Sequence, residues 1–429
     1  MRLTVPAIDC SEGFTQENDL FNREQFAANL EKLIEISEDE NLVIAINDKW
    51  GNGKTTFLKM WESKIQKEQK FNVVYFDAFK NDFQSDPFIA ISSHIYSIID
   101  DPKLQSKYLD ITKRVASILM KTTLKVGISA LTLGAVKGTE FEGIGDDIKD
   151  GLNDPLQKFI EEKVTQLERE TETIEHLRST LTEIAHDKKL IFIIDELDRA
   201  RPNYCLELLE RIKHVFNTEN IFFILSVDKE QFQSVIKQNY GDIDANIYLN
   251  KFVHLWLTLP KADNKQMQAY SLEKYINYVN NKILKRQINL RTSLTNLSYL
   301  LRVNNLSLRD AERCYSILLI LNTKMDNGYR WEYEVGAAIV SFLKVKNESL
   351  IKKHLAGALN KEQLRIELNI KKESSEDDEF HLHCALNTEF MTHDEFKAAY
   401  REDYLYFFRD TRQLKVIDYF CQMLDNFEF

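Results

Sequence analysis

The stretch Asp48-Lys49-Trp50-Gly51-Asn52-Gly53-Lys54-Thr55-Thr56 leaves this chain few folds to choose from. It follows the apolar run Leu42–Asn47 and precedes a segment with Phe57, Leu58 and Trp61 at helical spacing, so it joins a buried strand to a helix. In such a turn consecutive backbone N–H groups can curl around an anion, and the positive end of the helix dipole adds to the attraction. Gly51 and Gly53 supply the backbone freedom, Lys54 the charge for terminal phosphates, and Thr55 a hydroxyl for Mg²⁺. Trp50, Asn52 and Thr56 complete the expected nucleotide contacts. The usual pattern G-x-x-x-x-G-K-[ST] asks for glycine where Asp48 stands; aspartate tolerates a left-handed turn, but a carboxylate near phosphates would weaken binding.

A phosphate loop of this kind needs an acidic partner strand. Leu190–Ile194 is apolar throughout and runs into Asp195-Glu196. Asp195 is expected to hold Mg²⁺ through its water shell and Glu196 to polarise the attacking water as general base. Further β-branched and aromatic runs at Val73–Phe76, Ile221–Val227 and Val253–Leu259 read as buried parallel strands separated by helical patterns. The end of the Ile221–Val227 run offers Ser226 and Asp228 as candidates to sense a terminal phosphate; a strand simply emerging into a turn is the alternative. Ahead of the first strand, Asn22 is positioned to cap a helix carrying Phe26, Leu30, Leu33 and Ile34.

The expected fold class is α/β with a C-terminal α-helical domain. An NTPase core spans 1–262, with a helical insertion at about 86–187, and helices such as Tyr270–Leu284, Ser307–Leu321 and Trp331–Val345 fill 263–429. A Gly-rich break is expected at 134–151. Within the insertion, 115–136 is apolar but interrupted by Lys121 and Lys125, so no transmembrane span is expected. A net charge of −11 gives no indication of nucleic-acid binding, because a phosphate backbone would be repelled on average. Five scattered cysteines without a C-x-x-C pair fit a reducing, cytoplasmic setting; membrane-peripheral attachment through 115–136 is the alternative location.

Other constellations lead to no chemistry. Lys371–Glu379 reads as a solvated loop. His381 and His383 would share one side of a strand, yet no companion ligands stand at metal-site spacing. The aromatic tail from Tyr400 to Phe420 reads as packing for a terminal helix or a partner surface.

Together these segments resemble the KAP family of P-loop NTPases. The loop Lys49–Thr55 is similar to that family's G-x-W-G-x-G-K-[ST] apart from Asp48, Val73–Phe79 to its second-strand motif with Asp77 and Phe79 substituting, and Ile193–Arg199 to its I-D-[DE]-L-D-R segment. Phe222–Asp228 followed by Tyr248–Phe252 resembles its fourth strand and the Y-L-x-K motif. The resemblance implies an additional central strand with sheet order 5-1-4-3-2, and ATP with Mg²⁺ as the ligands. It also implies a role for Arg199 in nucleotide sensing or subunit contact, an ion pair to Asp198 or Glu196 being the alternative. Leu306–Arg313 resembles the family's [PL]-R-[DE] element, which makes Arg309 a candidate to reach bound nucleotide from the helical half. The implied function is an ATPase acting as a switch or assembly factor in antiviral defence, as a homo-oligomer with a protein partner encoded nearby. The alternative is a nucleotide-gated scaffold or membrane-peripheral signalling NTPase with little turnover.

Overall fold

The computed structural model describes residues 4–37, 40–84, 86–133, 153–260, 265–283, 290–322, 331–371, 377–401 and 415–426. Five strands, β1 (Leu42–Asn47), β2 (Asn72–Asp77), β3 (Leu190–Asp195), β4 (Ile221–Val227) and β5 (Leu255–Thr258), form one sheet in the order β2-β3-β4-β1-β5. Every pairing is parallel. This is the expected order 5-1-4-3-2, with β4 inserted between the strand that leads into the phosphate loop and the strand that ends in carboxylates.

The apolar runs are continuous because both faces of the sheet are covered. Side chains alternate between the faces. Ile44 and Ile46, Ile191 and Ile193, and Phe222 and Ile224 pack on one side with α1 (Glu24–Ile36) and α2 (Lys54–Glu68). Val43, Ala45, Phe192, Ile194, Phe223 and Leu225 pack on the other. There they meet α4 (Pro87–Tyr96), α5 (Pro102–Leu133), α6 (Asn153–Ile184), α7 (Pro202–His214) and α8 (Lys229–Tyr240), while the short α3 (Ala78–Asn81) follows β2 and α9 (Ala245–Leu249) precedes β5. Phe57, Leu58, Trp61 and Ile65 give α2 its buried stripe, and Trp61 Nε1 donates to Glu31 of α1 at 2.9 Å.

The C-terminal part is helical as expected: α10 (Lys265–Ile283), α11 (Arg291–Val303), α12 (Leu308–Leu321), α13 (Trp331–Lys346), α14 (Ser349–Leu355), α15 (Lys361–Glu367), α16 (Asp377–Phe390), α17 (His393–Arg401) and α18 (Val416–Asp425). They enclose their own core, which also takes in Leu20 from the N-terminal arm.

Three local expectations are corrected. Asn22 does not cap α1; it adopts φ +52°, and the Asp19 carboxylate accepts from the N–H groups of Arg23 (2.8 Å) and Glu24 (3.0 Å). Its longer reach from four residues upstream lets one carboxylate satisfy two orphan donors. The polar run 371–379 is not wholly a solvated loop, because α16 begins at Asp377 and Glu379 is buried against the Tyr299 hydroxyl. His381 and His383 therefore lie on a helix, where residues two apart face different directions, and among the described residues no cluster could hold a metal ion. The Gly-rich break at 134–151 and the aromatics Tyr404–Phe408 lie outside the described residues. No described helix is long and apolar enough to cross a membrane.

Candidate functional site

A cavity of about 400 Å³ opens at the C-terminal ends of β1, β3 and β4. Strand ends are where such a parallel sheet gathers functional side chains, since the crevice there lies between loops that leave in opposite directions. Trp50, Gly51, Gly53, Lys54, Thr55, Thr56, Asp195, Glu196, Arg199, Ser226 and Arg309 all line it. Asn52 does not: its amide donates to Asp48 Oδ1 at 2.6 Å, and its carbonyl faces Arg23.

The loop is built to receive an anion. Gly51 and Gly53 stand at φ +86° and +82°, and Gly53, as the N-cap of α2, supplies no side-chain cap. Lys54, Thr55 and Thr56 of the helix's first turn line the cavity, and a helix start of this kind favours an anion. Lys54 is buried, its ammonium donating to the carbonyls of Asp48 and Lys49. Burial pulls its pKa below the usual lysine range, although Asp198, Asp48 and Asp228 favour the charged form.

Asp48 is not left-handed. Its N–H continues the sheet to Val227 (3.2 Å), and its Oδ1 accepts from Lys49 N (2.8 Å) and the Asn52 amide. The carboxylate that looked like a threat to phosphates is instead turned into the loop's own hydrogen bonding, outside the cavity lining.

At the acidic strand end, Asp195 is buried and accepts from the Tyr75 hydroxyl at 2.7 Å and from Glu196 N at 2.9 Å. Glu196 adopts φ +55°, a conformation costing a non-glycine residue about 1 kcal/mol or more. Its carboxylate pairs with Arg199 rather than leaving that arginine to Asp198. Burial raises the Glu196 pKa; Arg199 pulls it down, while Asp195 and Asp77 push it up. Asp198 serves another purpose, accepting from Trp50 Nε1 and from Asp228 N (2.9 Å).

Ser226, one residue beyond the Ile194–Leu225 pairing, is fully buried and its Oγ has no hydrogen-bond partner among the described residues. A buried hydroxyl without a partner costs free energy unless a ligand satisfies it. Asp228 is otherwise engaged: it caps α8 and accepts from Trp50 N at 3.2 Å.

Two contributors carry no local sequence signal. Arg23 is a buried guanidinium that spans the carbonyls of Asn52 (3.1 Å from both terminal nitrogens) and Pro260 (3.4 Å) and lies over the Phe21 ring. Desolvation lowers its pKa to about 10. The second is the N-terminal arm, whose Val5, Pro6, Ile8, Phe14 and Phe21 give the cavity an apolar wall. From the helical half, Arg309 N donates to Gly51 O at 3.2 Å. A Cβ on Gly51 would lie 2.7 Å from Arg309 Cβ and 2.8 Å from Ser307 Oγ, so α12 starts directly against the loop.

The residues fit a nucleotide with a divalent cation: open helix N–H groups and Lys54 for phosphates, Thr55 and Asp195 as hard oxygen donors, and an apolar wall for a base. Residues 23–325 match the KAP family P-loop domain. Among solved structures, the chain is similar to the Aeropyrum pernix ORC2 protein in its ADPNP–ADP complexes, at 12% identity and TM-score 0.41 over 90% of this chain and 91% of that one. It is also similar to Cdc6p from Pyrobaculum aerophilum, at 11% identity and TM-score 0.33 over 90% of each chain, and to C. elegans PCH-2, at 10% identity and TM-score 0.34 over 81% and 74%. No curated protein matches this chain.

Proposed function

This chain belongs to the KAP family of P-loop domain proteins, and we propose that it is a Mg²⁺-dependent ATPase whose nucleotide state is passed to its C-terminal helices. The observation that carries this reading is the shared cavity: Lys54, Thr55, Asp195, Glu196, Ser226 and Arg309 come from four separate segments and line one space. In the proposed reaction Lys54 and the α2 N-terminus bind the β- and γ-phosphates. Thr55 and Asp195 would hold Mg²⁺, which supplies charge neutralisation on the phosphate oxygens. Glu196 takes the proton of the attacking water, Ser226 donates to the γ-phosphate, and Arg309 reads it from α12. The apolar wall from the N-terminal arm receives the base.

Coupling to the helices follows from the Gly51–Arg309 contact, because a loop that closes on phosphates must carry its carbonyl, and the start of α12, with it. We assign the core to 1–262 and the coupled helical domain to 263–429. A switch or assembly role in antiviral defence, through self-association and a protein partner, is the biological reading we favour from the family's prokaryotic members. A nucleotide-gated scaffold with little basal turnover is the second reading, favoured by the engagement of Glu196 with Arg199.

The test is ATP hydrolysis by the purified full-length chain with Mg²⁺ and with a chelator, alongside its mass with and without ATP. Mg²⁺-dependent phosphate release supports the ATPase; ATP binding without release at any protein concentration favours the scaffold; absence of ATP binding removes both.

A further inference from the structure

We infer that Arg199 and Trp50 form a latch that holds the Glu196 carboxylate away from water until the phosphate loop rearranges, which makes both of them positioning residues. The inference rests on the hydrolytic role proposed for Glu196. A general base must present an oxygen lone pair to the water it deprotonates. Here Glu196 Oε1 accepts from Arg199 Nη1 instead, so that oxygen is occupied.

What holds Arg199 there is the loop itself. Its guanidinium carbon lies 5.6 Å from the centre of the Trp50 ring, within the range of a cation–π contact. Trp50 is 40% exposed, a costly position for an indole, yet it is clamped at two points. Its ring N–H donates to Asp198 and its backbone N–H to Asp228, and Asp198 also accepts from Asp228 N. The perch is thus fixed to the ends of β3 and β4, while the residue that forms it lies in the phosphate loop beside Gly51.

This arrangement links phosphate binding to catalysis within one chain. When the loop closes on phosphates, Trp50 moves relative to Arg199, and the guanidinium loses its aromatic face. Released, Glu196 accepts a proton from water as the water oxygen bonds the γ-phosphorus and the β–γ bridging oxygen departs with ADP. The groups facing Glu196 are Arg199 on its own turn, Asp195 from β3, Asp77 and Tyr75 from β2, and Lys80 from α3.

The experiment uses the full chain and its Arg199→Met, Arg199→Lys, Trp50→Ala and Arg199→Met/Trp50→Ala variants, with folding checked by circular dichroism. For Arg199→Met we expect basal kcat to rise about tenfold with little change in ATP affinity. Trp50→Ala should act in the same direction, the double variant should add nothing further, and Arg199→Lys should restore most of the low basal rate. A fall in kcat for Arg199→Met overturns the latch, because it would put the arginine on the phosphates. Independently of turnover, Trp50 emission, taken as the difference between Glu196→Gln protein and its Trp50→Phe counterpart, should change when ATP binds; bound ATP with unchanged emission also overturns the latch. If neither the parent chain nor Arg199→Met hydrolyses ATP, the ATPase reading fails instead, and the emission change alone then decides whether the latch opens.

Discussion

The rim of the sheet and the interior of the helical part both bury charge, but to opposite effect. At the rim, Lys54 and Glu196 are each held in surroundings that disfavour their charged forms, with burial the leading cause. The cost is borne by groups aimed at a cavity. In the helical part, Glu389 is buried with its Oε2 accepting from Ile417 N (2.9 Å) and its Oε1 from Asp418 N (3.0 Å), while His354 lies 3.2 Å away. That carboxylate fixes the N-terminus of α18 against α16, where helix dipole and open N–H groups favour negative charge. The difference teaches that buried charge by itself does not mark a site; what marks it is that the charged groups line a cavity instead of capping an element of the fold.

The sharpest way to break this contrast is Glu196→Gln. Turnover should fall on the order of 100- to 10,000-fold with ATP binding retained, read by phosphate release and calorimetry. Equal turnover would assign the base elsewhere.

Lys54→Met comes next. ATP affinity should drop on the order of a hundredfold, since a charge-assisted contact worth about 3 kcal/mol disappears. Stability should move the other way. A lysine whose folded pKa is depressed costs the fold at pH values below that depressed pKa, and the cost fades as pH rises through the unfolded value. The variant should therefore unfold at a higher temperature at neutral pH, with the gain shrinking in alkali. A loss of both binding and stability would mean that Lys54 holds the loop together.

Glu389→Gln should do the reverse. It keeps one acceptor and loses the other, leaving a buried N–H of α18 unsatisfied at a cost of about 1–3 kcal/mol, with ATP affinity unchanged. Denaturant unfolding measures the first and calorimetry the second.

The smallest effect is expected at Glu334, which accepts from Ser293 N at 3.0 Å and whose pKa is raised by burial. A carboxyl with a raised folded pKa stabilises the fold only in acid, and that contribution is lost as pH rises through the folded pKa. Glu334→Gln, which stays neutral, should be slightly more stable than the parent at pH 7, and the difference should vanish as pH falls below the ordinary glutamate range.

Much of the rim could be read without a structure. Leu42–Asn47 and Ile221–Val227 are strands over those residues, and the loop and the acidic strand end do share a cavity. Ser226 and Asp228 could not be separated by pattern, because both lie where β4 meets its turn; only the packing leaves one hydroxyl without a partner and uses the other side chain as a cap. Asp48 differs from its motif position for a related reason: the motif suggests a left-handed turn, whereas the residue continues from β1 to Val227 and bonds Asn52.

The chain's own order of residues determined the parts whose signal is local. Alternation and run length encode which segments are strands, helical spacing encodes the buried stripe of α2, and the glycines and lysine of the loop encode an anion site, because burial and backbone geometry act on neighbours along the chain. Tertiary structure alone decided the rest. Arg23 beneath the loop, α12 starting on Gly51, Trp50 under Arg199, and Glu389 at the start of α18 are meetings of segments far apart in sequence. No periodicity announces them, since each depends on how the closed fold directs a side chain once its own element is already formed.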